Sequence, residues 1–230
     1  DIIDVNCGCP AWKVIKTGAG SALLNDPKKI GSFIKRIAEA IKQPVTLKIR
    51  SGIDKNYINA VEVAVEAEAA GAAAIAIHGR TQKQGYRGIA DWDIIKKVKE
   101  SVHIPVIGNG DIFTPEDAKQ RIEHSGVDYL LVARGALGNP FLFRQIQAYL
   151  RTGAYKEYDE TQRAAALNEY LGLAEQYGVP FQTIKHNATR FFRGSMGSKR
   201  ARTVIAASKD LVSLRKGMVK YKSNGLSGRV

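Results

Sequence analysis

Two cysteines one residue apart, in Asn6-Cys7-Gly8-Cys9-Pro10, follow a short apolar run of Ile2, Ile3 and Val5. The run reads as a buried strand. Gly8 permits a tight turn, and Pro10 ends a hydrogen-bonded ladder. A thiol and an amide, Cys9 and Asn6, are thereby set at the carboxyl end of a strand, where α/β folds build active sites. A lone C-x-C pair offers too few ligands for a zinc centre, so no metal site is expected. Other reactive residue types fall in similar places. Lys48 interrupts the apolar run 45–49, where an ammonium must reach solvent or an anion. His78 and Arg80 stand in His78-Gly-Arg-Thr81, after the run 73–77. Asn109, Gly110 and Asp111 follow 104–107, and Ala133, Arg134 and Gly135 follow 129–132.

The elements that must hold these residues alternate strand and helix over the first 140 positions. Ile30, Phe33, Ile34, Ile37 and Ile41 recur at helical spacing between the first two strands. Residues 59–70, 92–100 and 115–123 read as three more helices, the last with Thr114 as N-cap and Pro115 at its first position. Repeated βα units with apolar strands imply a parallel sheet covered by helices. A chemical signature at every strand end is the pattern of a (β/α)8 (TIM) barrel mouth; a doubly wound sheet would gather function at one switch point. Five strands are present, so the chain is expected to hold the later five βα units, with three lying upstream of Asp1. Residues 1–150 form this partial barrel, ending in a helix over 141–150. Residues 151–158 read as a linker and 151–230 as an all-helical domain. In it Leu167, Tyr170, Leu171 and Ala174 share a face, Gly178-Val-Pro180 breaks the chain, and helices are expected over 182–194 and 200–222.

Charge is unevenly spread. Of a net charge of +13, residues 181–230 supply +11, from twelve Lys or Arg and the single acid Asp210. A nearly neutral body with a basic tail suggests a polyanionic partner, nucleic acid above all. No apolar run approaches the roughly 18–20 residues of a membrane span, and no signal peptide is visible. Two cysteines one residue apart build no disulfide framework, which suits a reducing, cytoplasmic setting.

The motifs together resemble those of the tRNA-dihydrouridine synthase family. The matching pieces are Asn6-Cys-Gly-Cys-Pro10, Lys16-Thr-Gly-Ala-Gly-Ser-Ala-Leu-Leu24, Lys48-Ile-Arg50, His78-Gly-Arg-Thr81, Ala90-Asp-Trp92, Gly108-Asn-Gly-Asp111 and Ala133-Arg-Gly-Ala-Leu-Gly-Asn-Pro140. Each is short; their order, each at or just after a strand end, carries the signal. The resemblance implies an FMN-dependent oxidoreductase that reduces the C5=C6 bond of uridines in tRNA, with NADPH as reductant; separately, a monomer is expected. It makes Cys9 the general acid; a thiol of ordinary pKa, about 8.5, is protonated at neutral pH and able to donate. Cys7 is then a structural occupant of the loop. Lys48 is placed at the flavin ring and His78 near flavin and substrate base. Asn6 is placed at the uracil or flavin edge, and Arg80 at the RNA or the flavin phosphate. Asn109, Gly110 and Asp111 with Ala133, Arg134 and Gly135 would hold the phosphate, as loops after the last two barrel strands do. Ala133 stands where the family commonly has Gly, tolerable if φ there is negative. Lys16 lies in a loop folded over the substrate entrance, and Lys185, Arg190 and Arg193 are expected to meet tRNA phosphates. Two alternatives share these features: a flavin barrel acting on a free pyrimidine, of dihydroorotate or dihydropyrimidine dehydrogenase type, and a flavin-less RNA-binding fragment.

Overall fold

A computed structural model describes residues 1–194 and 198–225, with side chains up to Met218. The chain divides into two compact units, Asp1–Ala133 and Arg134–Val230.

The first unit contains strands β1 (Ile3–Asn6), β2 (Val45–Arg50), β3 (Gly52–Asp54), β4 (Tyr57–Ile58), β5 (Ala74–His78), β6 (Val106–Asn109) and β7 (Tyr129–Leu131). Strands β1, β2, β5, β6 and β7 form one sheet in that order, every pair parallel. Helices α1 (Trp12–Ile15), α2 (Pro27–Ala40), α3 (Ala60–Ala69), α4 (Trp92–Ser101) and α5 (Pro115–Ser125) fill the connections. Their starts are written locally. Asp26 accepts from Lys29 N at 3.0 Å ahead of Pro27. Thr114 and Asp117 form a reciprocal capping box at α5. One face of the sheet presents Val45, Leu47, Ile49, Ile75, Ile77 and Val106, all fully buried.

Three details depart from the sequence reading. In this chain β1 pairs with β2 alone among the described residues, and Ile2 and Ile3 are 59% and 44% exposed. Phe33, at the border of the α2 stripe, is 49% exposed while Ile30 and Ile34 are buried. The antiparallel hairpin β3–β4 was not anticipated; strands of three and two residues with polar tips carry no periodic signal.

The second unit starts with a 3₁₀ turn (Arg134–Ala136), followed by α6 (Leu142–Thr152), α7 (Glu160–Gln176), α8 (Phe181–Ala188), a 3₁₀ turn (Thr189–Phe192), α9 (Ser198–Ala207) and α10 (Leu211–Gly225). Leu167, Leu171, Ile184, Phe192, Ile205 and Leu214 are the centre of its core. The compact units part at Ala133/Arg134, so the boundary expected after residue 150 falls inside the second unit. There α6 is tied to the chain that follows it: Gln145 Nε2 donates to the Lys156 carbonyl at 3.0 Å, and Phe141 stacks on Tyr158 at 3.7 Å. The expected 182–194 helix stops at Ala188 and tightens into the 3₁₀ turn. The expected 200–222 helix is two helices. Asp210 accepts from Ser213 N at 2.7 Å and restarts the chain as a new N-terminus. Residues 195–197, within the expected break 194–198, lie outside the described residues, as do the side chains of Lys220 and Lys222, and Arg229.

Candidate active site

The loop after β1 is held at fixed points around Cys9. Asn6 Oδ1 accepts from Gly8 N at 3.0 Å and Cys9 N at 3.1 Å, the self-contained turn that asparagine builds readily. On the other side, the Cys9 carbonyl accepts from Ser21 N at 3.0 Å and Ser21 Oγ at 2.8 Å. Gly20 makes this approach possible: its φ is +59°, and a Cβ there would lie 2.8 Å from the Cys9 carbonyl. Cys9 is half-buried with its thiol free of any disulfide. Cys7 is 1% exposed, and burial, aided by the Asp4 charge, pushes its thiol up to about 12. It is a protonated packing residue, as a loop occupant should be.

Parallel register settles which residues face together, since paired positions point to the same side. Asn6 pairs with Lys48. Arg50 pairs with His78 and His78 with Asn109. Because Lys48 and Arg50 are two apart on β2, all five stand on the face opposite Leu47 and Ile49. Burial, and then the Arg50 cation, lower Lys48 to about 8, with Asp4 opposing. His78 is lowered to about 3, first by burial and then by Arg50, Lys48 and Arg80. Its imidazole is neutral at physiological pH. Arg80 Nη1 lies 3.4 Å from His78 Nε2; a guanidinium can only donate, so Nε2 accepts and Nδ1 carries the proton.

Arg50, which sequence reasoning treated only as part of a motif, is the fastener of this mouth. It is 3% exposed. Its Nε donates to the Gly8 carbonyl, and Nη1 to the carbonyls of Thr81 and Gly85, each at 2.9 Å. One side chain thus ties the cysteine loop to the loop after β5, with Tyr86 over its guanidinium at 5.8 Å. Ser21 was also missed; only the motif around it hinted at a role.

Arg80 is bonded within the fold. It is 2% exposed, and its Nη2 donates to Asp111 Oδ2 at 2.7 Å and to the Gly88 carbonyl at 2.6 Å. These bonds brace the loop after β5. Asp111 also accepts from Ala90 N at 2.8 Å and has φ +50°. Asn109 Nδ2 donates to the Leu131 carbonyl at 2.6 Å. A Cβ on Gly110, at φ +133°, would meet the Ala90 Cβ at 2.5 Å. The side chains of Asn109 and Asp111 therefore serve the fold. Ala133 has no positive φ, Asp111 being the one non-glycine with it among the described residues. Arg134 and Gly135 stand in the 3₁₀ turn of the second unit.

The basic candidates of that unit differ in the same way. Lys185 Nζ donates to the carbonyls of Ala206 and Ser208 at 2.8 and 2.9 Å, closing the end of α9. Arg190 is half-buried, its Nη2 donating to His186 Nε2 at 2.7 Å. Arg193 is exposed, as are Lys199, Arg202, Lys209 and Lys216; in the first unit so is Lys16.

Comparison with known proteins bears on all of this. The family model described as "Dihydrouridine synthase (Dus)" matches residues 1–222. The tRNA-dihydrouridine synthase B of Shewanella oneidensis is 43% identical over 199 residues, covering 85% of this chain and 60% of that protein. That of Pseudomonas putida is 46% identical over 179 residues, covering 74% and 53%. A probable tRNA-dihydrouridine synthase of Rickettsia conorii is 46% identical over 187 residues, covering 78% and 56%. The chain spans a little over half the length of these curated relatives.

Proposed function

The chain belongs to the dihydrouridine synthase family, and from that premise we propose that it is part of an enzyme reducing the C5=C6 bond of uridines in tRNA. The observation that carries the reading is the shared polar face of Asn6, Lys48, Arg50, His78 and Asn109, joined through Arg50 to the loop bearing Cys9. Flavin mononucleotide, when bound, would supply the hydride. The donor set suits it: a lysine that is still mostly protonated at neutral pH and an imidazole that carries one N–H can both donate to an electron-rich ring edge. Lys48 would stabilise negative charge on the ring, and His78, with its proton on Nδ1, would donate from that atom. Main-chain groups at Gly110 would help hold the phosphate. Cys9 would supply the proton for uracil C5, while Asn6 and Ser21 hold its main chain still.

The parallel, sequential strand order, without a reversal, supports reading this sheet as the later five strands of a (β/α)8 barrel. Residues 134–230, with their positive charge, would be a helical tRNA-binding domain. NADPH as reductant, a monomeric state and a cytoplasmic setting belong to the same proposal. The test uses the full-length protein with tRNA from cells lacking it, NADPH, and mass spectrometry of dihydrouridine. Product in tRNA but not from free uridine is expected, lost in Cys9→Ala with flavin retained. Turnover of the free pyrimidine alone, or an unimpaired Cys9→Ala variant, would overturn it.

A further inference from the structure

We propose that Trp12 is a stacking platform for an RNA base next to the target uridine, seated beside the Cys9 thiol; this rests on the function proposed above. Trp12 is 76% exposed, the most exposed large hydrophobic among the described residues, whereas Trp92 is 3% exposed. It is exposed by construction. In α1, Lys16 N donates to the Trp12 carbonyl, so Trp12 and Lys16 lie one turn apart on the outer side with Lys13. Val14 and Ile15 turn inward, and Val14 Cγ1 abuts Gly20, 2.9 Å from where a Cβ would sit.

Position and charge identify the occupant. Trp12 follows Cys9 by three residues, so their Cα atoms are within about 11 Å. The Cys9 main chain is clamped by Asn6 and Ser21, which fixes the point from which the chain enters α1. Lys13 and Lys16 flank it, and no acid occurs from residue 5 to residue 25. An aromatic ring among cations is how single-stranded nucleic acid is held: bases stack and ammonium groups meet phosphates. The geometry of the reaction supplies the need. A uridine drawn out of its helix leaves the neighbouring base without a stacking partner, and an indole beside the acid replaces it.

The test uses the full-length protein and an unmodified tRNA transcript. RNA should quench tryptophan emission, and the Trp12→Phe variant should lose that component. Trp12→Ala should raise the KM for tRNA about ten-fold with a smaller effect on kcat, Phe should largely restore it, and the melting temperature should not move. A wild-type KM in Trp12→Ala overturns the proposal. So does emission blind to RNA, or a fall in melting temperature with KM unchanged, which would mean that the indole packs against protein. A wild-type enzyme that forms no dihydrouridine fails the activity reading instead; RNA-dependent quenching then still decides the role of Trp12.

Discussion

On the proposed mechanism Cys9 is a proton donor, and its main chain is held by neighbours with no reactivity of their own. Ser21 Oγ is one of two donors on the Cys9 carbonyl. Ser21→Ala removes one neutral hydrogen bond, about 0.5–1.5 kcal/mol. It should lower single-turnover rates roughly three- to ten-fold with flavin content unchanged, and Ser21→Thr should recover most of the loss. Lys48 gives a pH signature. With its pKa lowered to about 8, its charge is lost as pH rises through that value. Flavin affinity, read by titration of the apoprotein, should therefore fall above about pH 8, and Lys48→Met should flatten the profile. The stability linkage has the opposite sign. Between about 8 and the ordinary lysine value the unfolded chain holds the extra proton, so this group makes folding more favourable as pH rises through that window.

Between elements, the decisive contacts are single side chains reaching main-chain carbonyls. Arg50→Ala would leave the carbonyls of Gly8, Thr81 and Gly85 without this donor. At about 1–3 kcal/mol for each buried group left unmade, a loss of about 3 kcal/mol or more is expected in urea denaturation. The sequence was informative about elements but less so about such links. All five strands of the large sheet were legible because each is a compact apolar run ended by a turn residue, and α5 because its capping residues are local. The site was legible as a set of strand ends, since alternation places Lys48 and Arg50 on one face without any tertiary knowledge. What could not be read was commitment. Arg80, Asp111 and Lys185 look like ligand-binding residues, and only packing reveals that each is bound to the fold. The break at Ser208–Asp210 was missed for a related reason: the pattern stays helical across it, and a serine–aspartate cap is a weak signal against 23 residues of helix-compatible sequence.

For the molecule as a whole, charge sets what it meets. The exposed Arg193, Lys199, Arg202, Lys209 and Lys216 give the second unit a cationic surface, which on the proposed reading would meet tRNA phosphates. Arg193→Glu should weaken tRNA binding and flatten its dependence on salt, measured as log K against log salt concentration. Lys185→Ala should act otherwise, lowering the melting temperature while leaving the salt slope intact, because its ammonium closes α9. The same distinction between groups that are held and groups that are offered governs how the protein ages. Asn109-Gly110 is the dipeptide most prone to deamidation in a loose chain, where the glycine nitrogen attacks the asparagine amide to form a succinimide. Here that amide is held on the Leu131 carbonyl and Gly110 is pinned against Ala90. Native protein incubated for weeks should keep Asn109 intact by mass spectrometry, while the same chain in urea converts it. The bonds that shape this rim would then also set the chemical lifetime of the protein.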